Sequence, residues 1–238
     1  MHIKKAVIVA AGLSSRLYPL TLDKPKGLLE INDTALLKRS ISQLNSIGIT
    51  DISIVVGYKD SLIRNLLGPN LTYIYNPFFK HCNNLGSLWF AKSFINQEPF
   101  IYLHGDIIYD AAILEAGLTN FYKKQHDIHL LVDYGRTDEE AMKVTCNQNQ
   151  FLIESNKDIQ IEKAAGEWIG IALVKNTPLF FNYIDQVLVN DNLNAYDTYA
   201  MTIMAKDSYN IYCDKTPNSN WKEIDFLKDY EDAKQLFK

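Results

Sequence analysis

The stretch KKAVIVAAGLSSRLYPLTLDKPKGL, residues 4–28, joins an uninterrupted apolar run to a long polar loop. Ile3–Val9 has the length and β-branched content of a buried strand. Beyond it come Gly12, two serines, Arg16, Lys24 and Lys26, with prolines at 19 and 25, and almost nothing suited to a core. A loop this long inside a compact domain is uncommon unless it is functional. Glycine-bearing loops after the first strand of an α/β sheet can cradle phosphates, because glycine lets backbone N–H groups approach an anion closely. Spacing excludes the two commonest versions: there is no GxGxxG, and Gly12 is not followed five residues later by glycine and lysine. What stands instead is A-A-G-x-x-x-R-L-x-P-L-T-x-x-x-P-K-x-L.

Outward from this loop the chain alternates short apolar runs with helical patterns, the signature of βαβ units. A helix is expected over TALLKRSISQLNSIG, where Leu36, Leu37, Ile41, Leu44 and Ile47 recur at helical spacing, with Gly48 as its stop. Strands are expected at 52–56 and 71–75 with a short helix between them, and a helix at 85–95. PFIYLHGD then reads as a strand running into Gly105-Asp106, and strand ends that deliver a carboxylate are where open α/β sheets place ligands. From about residue 126 the texture changes to short strands followed by helices at about 178–189 and 194–206, read as a smaller mixed lobe. The tail closes with two strands and an amphipathic helix from Phe226 to Phe237. The expected fold is α/β, a Rossmann-like, mostly parallel sheet flanked by helices, in one domain. Its parts are 1–125, the lobe at 126–210 and a last strand and helix at 211–238.

Composition narrows the function. With 238 residues, 47% hydrophobic, 22% charged and a net charge of −4, the chain is globular and carries no basic excess for a nucleic-acid backbone. Any bound phosphate must meet local donors, and Arg16, Lys24 and Lys26 against Asp23 alone supply them. Three scattered cysteines form neither a disulfide framework nor a zinc pattern. The apolar run after the first lysines is too short for a secretory signal, and no stretch approaches a membrane span, so a cytoplasmic protein is expected.

The loop motif resembles the signature of the nucleotidyltransferases that make activated sugars and activated choline from NTPs. The match covers Ala10 to Leu28, with Ser14 where glycine is usual. The resemblance implies that Ala10, Ala11 and Gly12 touch the base, Arg16 holds the departing pyrophosphate, and Lys26 contacts the α-phosphate. It extends to HGDIIYD and KEIDFLKDYEDAKQL, so Gly105 and Asp106 fall at the nucleotide and Asp106 and Asp225 are implied to hold Mg²⁺, with Mn²⁺ as a substitute. Read alone, Asp225 fits a helix N-cap before FLKD better than a metal ligand, and the companion motif is what favours the metal. A phosphate-monoester acceptor is largely ionised at pH 7, so no general base is needed, and all five histidines are read as structural.

NPFFKHCNNLGSLWFA resembles the N-N-x-x-S-L stretch of the cytidylyltransferase branch that acts on choline phosphate and 2-aminoethylphosphonate. Asn83, Asn84 and Ser87 would then face the base, with helix capping by either asparagine as the compatible alternative. In the mixed lobe Lys143 and Lys157 are candidate partners of the acceptor phosphate or plain exposed lysines. Glu167, Tyr196 and Asp197 are candidates for an acceptor amine, since carboxylates and aromatic faces both attract ammonium groups. The tryptophans of the choline cage are missing, which shifts the implied acceptor to L-glutamine phosphate, then phosphocholine or 2-aminoethylphosphonate. CMP transfer from CTP, a CDP-linked product, a surface-polysaccharide or capsule setting and room for a homodimer follow from the same resemblance. A sugar-1-phosphate nucleotidyltransferase and an inert nucleotide-binding regulator are the alternatives.

Overall fold

The computed structural model describes residues 2–238 except Gln125, Arg136 and Asp191. In chain order it runs β1 (Lys5–Ala10), a long loop, β2 (Glu30–Ile31), β3 (Thr34–Ala35), α1 (Leu36–Ser46), β4 (Asp51–Val56), α2 (Asp60–Leu67) and β5 (Thr72–Tyr75). There follow α3 (Asn84–Trp89), α4 (Lys92–Ile95), β6 (Phe100–His104), β7 (Ile107–Tyr109), α5 (Ala111–Lys124), β8 (Ile128–Asp133), β9 (Lys143–Cys146) and β10 (Leu152–Asn156). The chain closes with β11 (Gly166–Val174), α6 (Thr177–Val189), α7 (Asp197–Lys206), β12 (Ile211–Lys215), β13 (Trp221–Glu223) and α8 (Leu227–Leu236).

β1 pairs in parallel with β4 on one side and β6 on the other, and β4 pairs in parallel with β5. The chain therefore works outward from β1 to β5 and then returns to β6, which makes the β1/β6 junction a topological switch point, where such sheets open a ligand crevice. Strands β8 to β12 join the same nine-stranded sheet, with β11 antiparallel to both β6 and β8, while β7 and β13 form a separate antiparallel pair. The expected mixed lobe is thus the antiparallel half of one sheet. Alternation along β1 explains how this sheet is buried on both faces: Val7 and Val9 face one core, Ala6 and Ile8 the other.

Three local features depart from the sequence reading. The helix expected over 85–95 is broken at Phe90 and Ala91, where the Ala91 N–H reaches back only three residues, to the Leu88 carbonyl, instead of four. α5 was not foreseen, and neither were β2, β3 and β7. The loop after β1 is also less polar than it reads, because Leu17, Leu28 and Leu29 are buried. Leu17 and Leu29 join Ile31, Leu36, Ile108, Ile224 and Tyr230 in a small separate core that ties the loop to β7 and α8.

β11 is irregular between Trp168 and Ala172. Gly170 sits there at φ +80°, and a Cβ on it would lie 3.0 Å from the His104 ring. Gly170→Ala is expected to destabilise the fold by roughly 1–3 kcal/mol, the usual cost of a non-glycine residue in a strained conformation. Thermal unfolding checks this, with a Tm several degrees lower as the expected result.

Candidate active site

The crevice at the switch point is built from three separate segments. Val9 is the last residue of β1 paired with β6, and Gly105 N–H donates to its carbonyl at 2.9 Å. This bond draws Ala10 and Asp106 together, and a cleft of about 60 Å³ forms between Ala10, Ala11, Gly12, Lys26, Asn84, Gly105 and Asp106. All seven are candidates named above. Ser14 stands at the rim with φ 53°, a left-handed conformation that explains why glycine is usual there. Its carbonyl accepts from Thr21 Oγ1 at 2.7 Å, bracing the turn.

Lys26 is the centre of charge. Its ammonium donates to Asp106 Oδ2 at 2.9 Å and to Asp225 Oδ1 at 2.7 Å, while Arg16 donates to Asp225 Oδ2 at 2.8 Å. Burial works against the Lys26 charge, but Asp106 and Asp225 outweigh it and hold the pKa above the ordinary range. Burial likewise opposes ionisation of Asp225, and Lys26 and Arg16 overcome it and lower its pKa. Asp225 does not cap α8. That position belongs to Phe226, and the Asp229 carboxylate accepts from the backbone N–H groups of Phe226 at 2.8 Å and Asp225 at 3.2 Å.

Two carboxylates around one cation are a donor set that suits Mg²⁺, which binds one or two carboxylates together with phosphate oxygens. Asp106 Oδ1 is buried and without a hydrogen-bond partner among the described residues, a costly state that a bound cation would relieve. The residues present therefore fit the ion.

Other candidates lie elsewhere. Asn83 caps α3, its Oδ1 accepting from Asn84 N–H at 2.8 Å. Ser87 is buried and its hydroxyl accepts from Asn76 Nδ2 at 3.0 Å, so it is turned from the cleft. Lys143 does not reach an acceptor: it is fully buried, and its ammonium donates to the carbonyls of Asp138, Glu139 and Ala141. Its three donors are spent on holding the 138–141 turn. Asp197 is no open amine receptor either, because at 1% exposure it accepts from Tyr102 Oη and His104 Nε2, both at 2.6 Å. Lys157 and Tyr196 line one hollow of about 700 Å³, Glu167 another of about 640 Å³, and Glu139 and Glu140 border both.

The second hollow opens beside Asp225 and is ringed by carboxylates, Asp133, Asp138, Glu167, Glu223 and Asp229 among them. Lys222 is the only cation lining it among the described residues. Burial pushes Glu167 up to about 8, with Glu223 and Asp138 adding repulsion, and burial with Asp106 and Asp225 beside it pushes Glu223 up to about 7. Glu223 and His104 escaped the sequence reading. The signal was there: in KEID, Glu223 and Asp225 are two apart, and so are His104 and Asp106 in HGD, the spacing that returns side chains to one face of an extended chain.

A phosphate-sized crevice at a switch point, with Lys26 and Asp106 in its wall and Asp225 and Arg16 linked to them, defines an α/β enzyme acting on nucleoside triphosphates. The chain belongs to the Nucleotidyl transferase family, whose sequence profile matches residues 5–143. It is 25% identical to the CTP:phosphoglutamine cytidylyltransferase of Campylobacter jejuni subsp. jejuni serotype O:2, over 95% of this chain and 97% of that one. It is also 25% identical to the choline-phosphate cytidylyltransferase of Streptococcus pneumoniae, over 98% of each chain. Among solved structures, a UDP-glucose pyrophosphorylase complexed with UDP-glucose superposes with a TM-score of 0.84 at 16% identity, covering 99% of this chain and 98% of that one.

The raised Glu167 carboxyl carries a pH signature. Its folded form holds the proton more tightly than the unfolded chain, so the wild type loses stability as pH rises from the ordinary value of 4.5 through about 8. Glu167→Gln is expected to flatten that part of the profile and to melt higher than wild type above pH 8. Scanning calorimetry across the interval reads it.

Proposed function

We propose that the protein transfers CMP from CTP to the phosphate of a small amine- or amino-acid-bearing phosphoester and releases pyrophosphate. L-glutamine phosphate is the first choice, then phosphocholine or 2-aminoethylphosphonate, the phosphate esters giving a CDP-linked product. The proposed product would serve the decoration of a surface polysaccharide or capsule. The observation that carries the reading is the linked set Arg16, Asp225, Lys26 and Asp106 beside an acid-ringed hollow. Two cations suit a triphosphate, and an excess of carboxylates suits an acceptor that brings its own cation. A sugar phosphate brings hydroxyl donors but no positive charge to that ring, and likeness of fold at 16% identity carries no substrate.

In this reading Lys26 neutralises charge on the α-phosphate and Arg16 holds the β- and γ-phosphates. Arg16, about half exposed, must first leave Asp225 and the Glu140 carboxylate 3.8 Å away. The acceptor phosphate, already an anion near neutral pH, attacks the α-phosphorus, and the oxygen bridging the α- and β-phosphates leaves with the pyrophosphate. The chain needs only to align the three groups and to hold opposite charge beside them. Mg²⁺, held by Asp106 and Asp225, would supply further charge neutralisation on the triphosphate. Asn84 faces the crevice with an amide able to donate to and accept from cytosine.

Pyrophosphate release from CTP, UTP and dTTP, each against amine-bearing and sugar phosphates, tests this. CTP with an amine-bearing acceptor should turn over; turnover confined to UTP or dTTP with a sugar 1-phosphate would sink the proposal. In the same assay Lys26→Ala is expected to lower kcat by roughly two orders of magnitude, the scale of losing a contact that matters most in the transition state. An Asp106→Ala variant with wild-type function in the cell would instead favour the inert regulator.

A further inference from the structure

We infer that His104 and Glu223 complete the divalent-cation site that Asp106 begins, giving this chain a nitrogen-bearing donor set that favours Mn²⁺ over Mg²⁺. This builds on the reading of the cluster as the metal end of a nucleotidyl-transfer site. One ligand atom each of His104, Asp106 and Glu223 lie within 4.8 Å of one another. The juxtaposition is fixed by the backbone: Glu223 pairs with Ile107 in the β7/β13 ladder, and Ile224 N–H donates to the Asp106 carbonyl at 2.9 Å.

The geometry leaves the right atoms free. Asp106 Oδ2 and both oxygens of Asp225 are engaged by Lys26 and Arg16, so Asp225 would join the ion only once those cations turn to a triphosphate, whereas Asp106 Oδ1 is buried without a partner among the described residues. His104 Nε2 lies 2.6 Å from Asp197 Oδ2, which keeps a proton on Nε2, so in the neutral ring that would bind a cation the lone pair falls on Nδ1. Nδ1 stands 3.9 Å from Glu223 Oε1, too far for a hydrogen bond and spaced to share an ion. A carboxylate that fixes the tautomer of a ligating histidine from behind is a recurrent support of metal centres.

That support is rigid. Asp197 also accepts from Tyr102 Oη at 2.6 Å and from Thr198 N–H at 3.0 Å. The Trp168 ring meets the imidazole edge-on at 4.9 Å, and Gly170 leaves the space the ring occupies. Mg²⁺ favours an all-oxygen shell, while an imidazole nitrogen beside two carboxylates raises the preference for Mn²⁺ and later transition metals.

The test is electron spin-echo spectroscopy of the wild-type protein loaded with Mn²⁺ and no nucleotide, together with equilibrium Mn²⁺ and Mg²⁺ binding to His104→Gln and Glu223→Gln. A directly bound ¹⁴N coupling in the wild type, lost in His104→Gln, is expected. So is a loss of Mn²⁺ affinity of about tenfold or more in each variant, with a smaller change for Mg²⁺. Bound Mn²⁺ without nitrogen coupling in the wild type, or unchanged Mn²⁺ affinity in both variants, overturns the inference. CTP turnover by a wild type lacking the coupling removes this inference alone, whereas coupling in a protein inert toward every nucleotide removes only the proposed reaction.

Discussion

One ammonium group closes this site. Lys26 is almost completely buried, and a buried cation is tolerated only when opposite charges and hydrogen bonds replace its water. Asp106 and Asp225 meet that demand from 80 and 199 residues away. The loop after β1 therefore cannot take its shape until β6 and β13 are in place. The pins at Leu17 and Leu29 hold the same loop by burial, so apolar contact and ion pairing fix it together.

Around this centre the two signs of charge are sorted. Lys26 faces the crevice and Arg16 is joined to it through Asp225, while the larger hollow beyond Asp225 is walled by carboxylates, and Glu140 stands 3.8 Å from Arg16 and 3.9 Å from Lys157. Exposed pairs at that distance contribute little to stability. In the proposed reaction they can be exchanged, because a triphosphate would offer Arg16 more than Glu140 does. The carboxylates that burial and mutual repulsion keep partly protonated, Glu167 and Glu223, mark where a positive charge is still wanted.

Much of this was legible in the sequence. Strand and helix periodicity gave the βαβ order, and Ala10, Gly105 and Asp106 could be placed at the crevice because they lie at or just past the ends of β1 and β6, where topology alone brings them together, while Lys26 reaches it from the loop between β1 and β2. The acceptor side was harder. Lys143 and Asp197 look like free charges in the one-dimensional chain, and only burial shows that backbone carbonyls and His104 have taken them. His104 itself carries no spacing signal toward another histidine or cysteine; its partners come from β13 and α7, contacts too distant in sequence for periodicity to reveal. The helix broken at Ala91 kept its apolar pattern throughout, so pattern alone could not show the kink.

The small core shared by Leu17, Ile224 and Tyr230 has a consequence in the order of synthesis. The segment that begins the site is made first, and the segment that completes it is made some 200 residues later. Until β13 and α8 leave the ribosome, Lys26 faces only one carboxylate and the loop lacks half of its apolar seat. A nascent chain can thus build much of its sheet early while the loop after β1 still waits for the contacts that fix it, and the site takes its final shape in one late step.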